Sequence, residues 1–312
     1  MKVFLTGATG YVGTVVAEKL RAAGHRVVGL ARNDAAEAVL RERNIEPYRG
    51  DLQEPEGLIS AAKAADGVIH TAFIHDFNNF DSAVDIERKV IAAFVQALVN
   101  SDKPLIATSG TGLLGDTGSE LVDETAAIDP TFVLAARAQA EQDILRAAEQ
   151  GIRSLVIRLP LFVYGRGGSV FIPMQMQAGK QTGVVHYIET GTNQASAVHV
   201  DDAAQLYVLA LEALALQKVA AGSIFHATTR SGITAKAMAE AISRAVGCRT
   251  ESLALEDAQV TLGPVVTAFM SMNNQVSATK AMTELAWQPG GYPDLLDDIE
   301  HGSYRQMLNS TL

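Results

Sequence analysis

Thr6-Gly7-Ala8-Thr9-Gly10-Tyr11-Val12-Gly13 is a glycine pattern with a definite chemical use. It follows the short apolar run Val3-Phe4-Leu5 and opens a stretch with helical spacing from Val12 to Ala23. In that setting Gly7 permits a tight turn, Gly10 admits a pyrophosphate close to the backbone, and Gly13 lets a helix pack closely on a strand. The first helical amides, on Tyr11 and Val12, then meet the anion together with the positive end of the helix dipole. Thr9 lies in the same turn. The pattern predicts a dinucleotide site at the start of the chain.

The residues after the second strand bear on which dinucleotide. Ala31-Arg32-Asn33-Asp34 places a guanidinium where a 2′-phosphate would sit, and Arg32 suits both that charge and the adenine face. Asp34 is the alternative, an acceptor for the ribose hydroxyls of NAD if the strand runs further. This reading prefers NADP and leaves NAD open. A second segment, His70-Thr71-Ala72-Phe73-Ile74-His75-Asp76-Phe77, follows the fourth strand at the edge where open α/β sheets bind ligands. His75 beside Asp76 is a candidate general acid, because imidazole titrates near neutral pH and a carboxylate can orient it. His186 and Tyr187 are candidates to line a substrate cleft. No histidine pair has metal-ligand spacing on one helix, so no metal site is expected. Cys248 is the single cysteine, which excludes an intrachain disulfide and a multi-cysteine metal site.

These groups need a scaffold, and the alternation of segments supplies one. Val3-Phe4-Leu5-Thr6, Arg26-Val27-Val28-Gly29-Leu30, Val68-Ile69-His70, Pro104-Leu105-Ile106-Ala107 and Ser154-Leu155-Val156-Ile157 are short apolar runs separated by helical stretches. Continuous apolar strands between helices describe a parallel sheet buried on both faces, and right-handed crossovers make it doubly wound. The expected fold is α/β, a Rossmann doubly wound parallel sheet with a smaller C-terminal substrate lobe. The sheet domain is expected over 1–164 plus about 196–228, with Ala197-Val198-His199-Val200 and Ser223-Ile224-Phe225-His226 among its strands. The discontinuous substrate lobe is expected over about 165–195 plus 229–312. Lys plus Arg number 25 against 35 Asp plus Glu, a net charge of −10 that speaks against nucleic acid as partner. No apolar run approaches the roughly 18 residues of a membrane span, and a strand from Lys2 leaves no room for a signal peptide. A cytoplasmic protein with a small-molecule substrate is expected.

With these residues in view, the sequence resembles the short-chain dehydrogenase/reductase superfamily, in its extended, epimerase/dehydratase-like branch. The resemblance spans nearly the whole chain. It rests on the glycine turn, Gly50-Asp51-Leu52, Asp66-Gly67-Val68-Ile69-His70-Thr71-Ala72, Arg158-Leu159-Pro160 with Val163-Tyr164-Gly165, and Val198-His199-Val200-Asp201-Asp202-Ala203-Ala204. It implies Asp51, Leu52, Thr71, Ala72 and Pro160 as cofactor contacts, with Phe73 and Thr108 beside them. It also implies a homodimer through the helices at Ser82 to Asn100 and Thr131 to Gln150.

One departure bears on chemistry. The family normally carries a Tyr and a Lys four residues apart on one helix, the Lys and the oxidised nicotinamide lowering the phenol pKa for proton exchange. Anchoring on Glu141 puts Val133 at the Tyr position and Arg137 at the Lys position, and the chain has no Tyr between Tyr48 and Tyr164. Arg137 is a fixed cation suited to the nicotinamide ribose, but it is no proton shuttle. Gly110 stands at the usual Ser position, flanked by the hydroxyls of Ser109 and Thr111. The resemblance is therefore to the atypical members that keep the binding motif and lack the usual catalytic residues. The leading reading is an NADP-preferring oxidoreductase on a small carbonyl or alcohol. A sensor or regulator without turnover, and an epimerase or dehydratase with a held cofactor, are the alternatives.

Overall fold

The computed structural model describes residues 1–75, 79–132 and 135–310. Seven strands form the main sheet, all parallel: β1 (Lys2–Thr6), β2 (Arg26–Ala31), β3 (Glu46–Arg49), β4 (Gly67–His70), β5 (Pro104–Gly110), β6 (Arg153–Leu159) and β10 (Ser223–His226). Three more, β7 (Phe162–Tyr164), β9 (Gln194–His199) and β11 (Arg230–Thr234), make a second sheet. A third pairs β8 (Val184–Ile188) with β12 (Arg249–Leu253). The helices are α1 (Tyr11–Ala22), α2 (Asp34–Glu42), α3 (Ile59–Ala64), α4 (Phe80–Leu98), α5 (Ala138–Glu149), α6 (Phe171–Thr182) and α7 (Val200–Ala215). They continue as α8 (Ala235–Val246), α9 (Leu255–Leu262), α10 (Pro264–Ser271), α11 (Thr279–Glu284), α12 (Leu295–Glu300) and α13 (Ser303–Ser310).

The main sheet runs in the order β10-β6-β5-β4-β1-β2-β3, so the order reverses between β1 and β4. Val3, Phe4, Leu5, Val68, Ile69, Leu105 and Ile106 are fully buried because helices cover both faces. One apolar layer packs α1 and α7 on the sheet, joining Val16, Leu20 and Leu211. The other packs α3, α4 and α5, joining Leu58, Phe94 and Ile144. The two smaller sheets and α6, α8 and α12 enclose a separate core around Met176, Ile242 and Ile299.

The segment Ala197-Val198-His199 departs from its expected place. β9 pairs with β7 on one side and β11 on the other, outside the main sheet. β10 occupies the edge beside β6 instead, with Ser223 opposite Leu155. β9 nonetheless serves the main sheet: the His199 ring accepts from the Asp201 amide and starts α7, which packs along α1. The Arg166 guanidinium grips Asp201 at 2.7 and 2.8 Å and reaches Glu18 of α1 at 2.6 Å. This cluster ties the loop after β7 to the two helices that flank the glycine turn.

Candidate functional site

The two glycines that frame the turn are dictated by the chain's own packing. Gly7 has φ +74°, and a Cβ there would lie 2.6 Å from the Thr71 Oγ1 and 2.9 Å from the Ala72 amide nitrogen. A Cβ at Gly13 would lie 2.1 Å from the Gly7 carbonyl oxygen, so α1 can sit this close to β1 only without a side chain. Gly10 is different. It is exposed with ordinary extended φ, and a Cβ would meet only the Gly7 oxygen, at 3.2 Å. Space is left in front of it, beside exposed Thr9. No side chain caps α1 at Gly10, so the Tyr11 and Val12 amides have no intrahelical partner. This arrangement fits a pyrophosphate.

Tyr11 faces the anion position with its backbone alone. Its phenol donates to the Gly165 carbonyl at 2.8 Å and its ring fills the space above Gly168. Burial pushes the phenol pKa up, and Tyr304 adds to the shift. The side chain is therefore a brace between the lobes.

At the end of β2, Arg32 is exposed and has no hydrogen-bond or ion-pair partner among the described residues. The neighbouring groups are committed elsewhere. Asn33 caps α2 by accepting from the Ala36 amide at 2.9 Å, and Arg49 holds Asp34 at 2.7 Å. Asp51 follows β3 and accepts from the Gln53 amide at 2.9 Å through one oxygen, with Leu52 half-buried against the sheet core.

Across the reversal, β4 is pinned to β1. The Thr6 hydroxyl accepts from the Ala72 amide at 3.3 Å and meets the His70 Nδ1 at 2.6 Å, while the Thr71 hydroxyl donates to the Thr6 carbonyl at 2.8 Å. The His70 Nε2 is buried and has no partner among the described residues. Burial and then the Arg137 charge push its pKa down to about 3, which makes it a neutral structural group. Thr71, Ala72 and Phe73 are half-buried along the same edge as the glycine turn. Phe73 stands edge-on to His75 at 5.1 Å. Partial desolvation, followed by the Arg137 charge, holds His75 below the usual imidazole range. Asp76, its expected carboxylate partner, lies outside the described residues.

Arg137 points inward. Its guanidinium donates twice to Glu87 at 3.2 Å and once to the Thr108 carbonyl at 3.4 Å, with Phe73 stacked over it at 4.2 Å. Glu87 is buried on α4, and desolvation raises its pKa against the lowering effect of that Arg. The pair braces α4 against the end of β5 and fixes Phe73. Val133, at the usual Tyr position, lies outside the described residues. Of the hydroxyls after β5, Thr108 bonds the Tyr207 phenol at 2.7 Å and Thr111 donates to Asn274 Oδ1 at 2.6 Å. Ser109 is buried and its Oγ has no partner among the described residues; it borders a small internal space with Glu87 and Arg137. Pro160 is buried directly after β6.

Of the remaining candidates, Tyr164 donates to the Pro293 carbonyl at 3.0 Å, and His199 stacks on Tyr292 at 4.0 Å. His186 and Tyr187 line a small pocket in the second lobe, together with Phe162, Gln175, Met238 and Phe269. Sequence reading missed Gln175 and the phenylalanines. The readable signal was a glutamine on the apolar stripe of α6, at helical spacing with Ile172, Met176 and Gly179.

Residues 3–222 match the NAD dependent epimerase/dehydratase family. The chain belongs to that family. An uncharacterized protein of Schizosaccharomyces pombe is 36% identical over 304 residues, 97% of this chain and 100% of the other. A 2-alkyl-3-oxoalkanoate reductase of Stenotrophomonas maltophilia is 25% identical over 256 residues, 79% of this chain and 76% of the reductase. The dTDP-glucose 4,6-dehydratase of Streptomyces venezuelae, solved with NAD and TYD bound, is similar in structure with a TM-score of 0.80. It is 17% identical, and the similarity covers 100% of this chain and 98% of that one. The chain is a member of the extended short-chain dehydrogenase/reductase superfamily and has that fold. Among the described residues no helix is long and apolar enough to cross a membrane, and no group of His, Cys, Asp or Glu is placed to hold a metal ion.

Proposed function

We propose that this family member is an NADP-preferring oxidoreductase that reduces a small carbonyl compound or oxidises the matching alcohol. The observation that carries the reading is the uncapped start of α1 facing the space at Gly10, on the edge where the sheet order reverses. The reductase name of the Stenotrophomonas maltophilia relative supports the redox class. Bound there, a reduced nicotinamide supplies a hydride to the carbonyl carbon. The chain supplies the rest. The Tyr11 and Val12 amides hold the pyrophosphate, Thr9 and Asp51 flank it towards the adenosine, and Thr71, Ala72, Phe73, Thr108 and Pro160 line the path to the reacting carbon. Arg32 pairs with the 2′-phosphate. His75 gives a proton to the carbonyl oxygen, in place of the phenol that the chain lacks.

Two outcomes check this reading. Arg32→Ala is expected to weaken NADPH binding about tenfold, some 1.4 kcal/mol, and to leave NADH binding within about twofold, read by nicotinamide fluorescence. Equal loss for both nucleotides would remove Arg32 from 2′-phosphate recognition. His75→Gln is expected to lower kcat at least about tenfold. Because His75 titrates below its ordinary value and must be protonated to donate, turnover should fall as pH rises through that lowered pKa. The variant should lose this limb of the profile; an unchanged profile would assign the proton to another group. Binding of NADPH with no turnover across aldehydes and ketones would favour the regulator reading, which the missing Tyr alone supports.

A further inference from the structure

The cavity beside His186 is built for recognition, and its chemistry narrows the substrate. Gln175 is 8% exposed, yet neither its amide nitrogen nor its oxygen has a partner among the described residues, and it borders both this small pocket and an adjoining one. The His186 Nδ1 in the same wall is also buried and without a partner. A buried amide left unpaired is destabilising, so a fold that keeps one in a cavity wall leaves two hydrogen bonds for something that enters. Around it the walls are apolar and aromatic. The Phe171 and Phe269 rings lie 5.8 Å apart, Phe162 is 6.5 Å from Phe171, and Phe132 is 6.1 Å from Phe269. Phe269 also lies against Gly112, where a Cβ would meet its ring at 3.2 Å, so this wall reaches the turn after β5. None of the residues lining either cavity is Lys, Arg, Asp or Glu.

We propose that this cavity binds an uncharged, aromatic or similarly flat apolar substrate portion carrying an oxygen function, with Gln175 as donor and acceptor and His186 as the second polar contact. The inference deepens the reductase reading and rests on it for the link to chemistry. With no Arg or Lys among the lining residues, and the Lys236 ammonium beside them set over the Tyr187 ring, the pocket does not suit a nucleotide diphosphate sugar, whose two phosphates need Arg, Lys or a helix terminus. Aromatic walls instead give edge and face contacts to a planar group.

The test uses the whole protein, wild type and Gln175→Met, with cinnamaldehyde, benzoylacetone and acetophenone as neutral probes and UDP-glucose as the charged one. Binding is read by calorimetry without nucleotide, and NADPH affinity is measured separately on both proteins. We expect at least one neutral probe to bind the wild type saturably and at least tenfold more weakly to Gln175→Met, with NADPH affinity unchanged. Methionine removes an unpaired buried amide, so the unliganded variant should also melt a few degrees higher. A variant that melts lower, or that binds the probes as the wild type does, would make Gln175 a structural residue and overturn the assignment. So would tighter binding of UDP-glucose than of every neutral probe, or binding of none of the three. If the probes bind through Gln175 while NADPH does not bind, the pocket stands and the reductase reading falls; NADPH binding without probe binding gives the reverse.

Discussion

Gly13→Ala is expected to lower stability by about 3 kcal/mol, while Gly10→Ala leaves the fold intact and weakens NADPH binding at least tenfold. The contrast follows from what each new Cβ meets. At Gly13 it would lie 2.1 Å from the Gly7 oxygen and 2.8 Å from the Thr71 Oγ1, so α1 must move away from β1 and from the end of β4. Backbone cannot rotate aside as a side chain can, which puts the overpacking at the upper end of the usual range of about 1–3 kcal/mol. At Gly10 the Cβ has one close neighbour, the Gly7 oxygen at 3.2 Å, and the backbone conformation suits any residue. Its methyl would instead stand in open space at the exposed start of α1, where the pyrophosphate is proposed to lie. Denaturant unfolding and nucleotide titration of both variants separate the two effects. Wild-type NADPH affinity in Gly10→Ala would remove the pyrophosphate from this turn.

Arg158→Met is expected to destabilise the protein by about 3–5 kcal/mol, and the double variant Arg158→Met, Glu141→Leu to recover most of that loss. Arg158 on β6 and Glu141 on α5 are bonded at 2.6 and 3.0 Å, with the side chains 2% and 0% exposed. Removing the guanidinium alone strands a carboxylate in the core; removing both charges leaves apolar volume. A double variant as unstable as the single one would show that the pair does more than neutralise itself. The fold is also expected to lose stability in acid. Burial and then Arg158 lower the His226 pKa to about 4, and burial and Arg137 lower His70 to about 3, from an ordinary 6.5. Both rings stay neutral when folded and take protons when unfolded, so below pH 6.5 the unfolded chain binds more protons. Their stabilising effect is complete above 6.5 and is lost as pH falls towards 4 for His226 and 3 for His70. The slope is about 1.4 kcal/mol per pH unit for each group. Urea unfolding at pH 7.5, 5.5 and 4.5 checks it, and a flat profile would refute it.

The amino-acid sequence specifies the sheet and the tight glycine turn before α1. Parallel strands covered on both faces must be continuously apolar, and a pyrophosphate turn needs glycines at fixed steps, so both are written in residue type and local spacing. It also determined the loss of the Tyr-Lys pair, since no register restores a phenol that is absent between Tyr48 and Tyr164. What each polar side chain does was decided only by tertiary structure. Arg137 turns to Glu87, fifty positions away on another helix, and Thr111 to Asn274, 163 positions away. β9 leaves the main sheet because β7 and β11 pair with both its edges, which an apolar pattern of that length does not specify. The Gln175 pocket is assembled from seven elements, β7, α6, β8, β9, β11, α8 and α10, and its aromatic walls from residues between Phe132 and Phe269. Local pattern encodes which face a residue presents, whereas partners distant in sequence exist only once the chain has closed on itself.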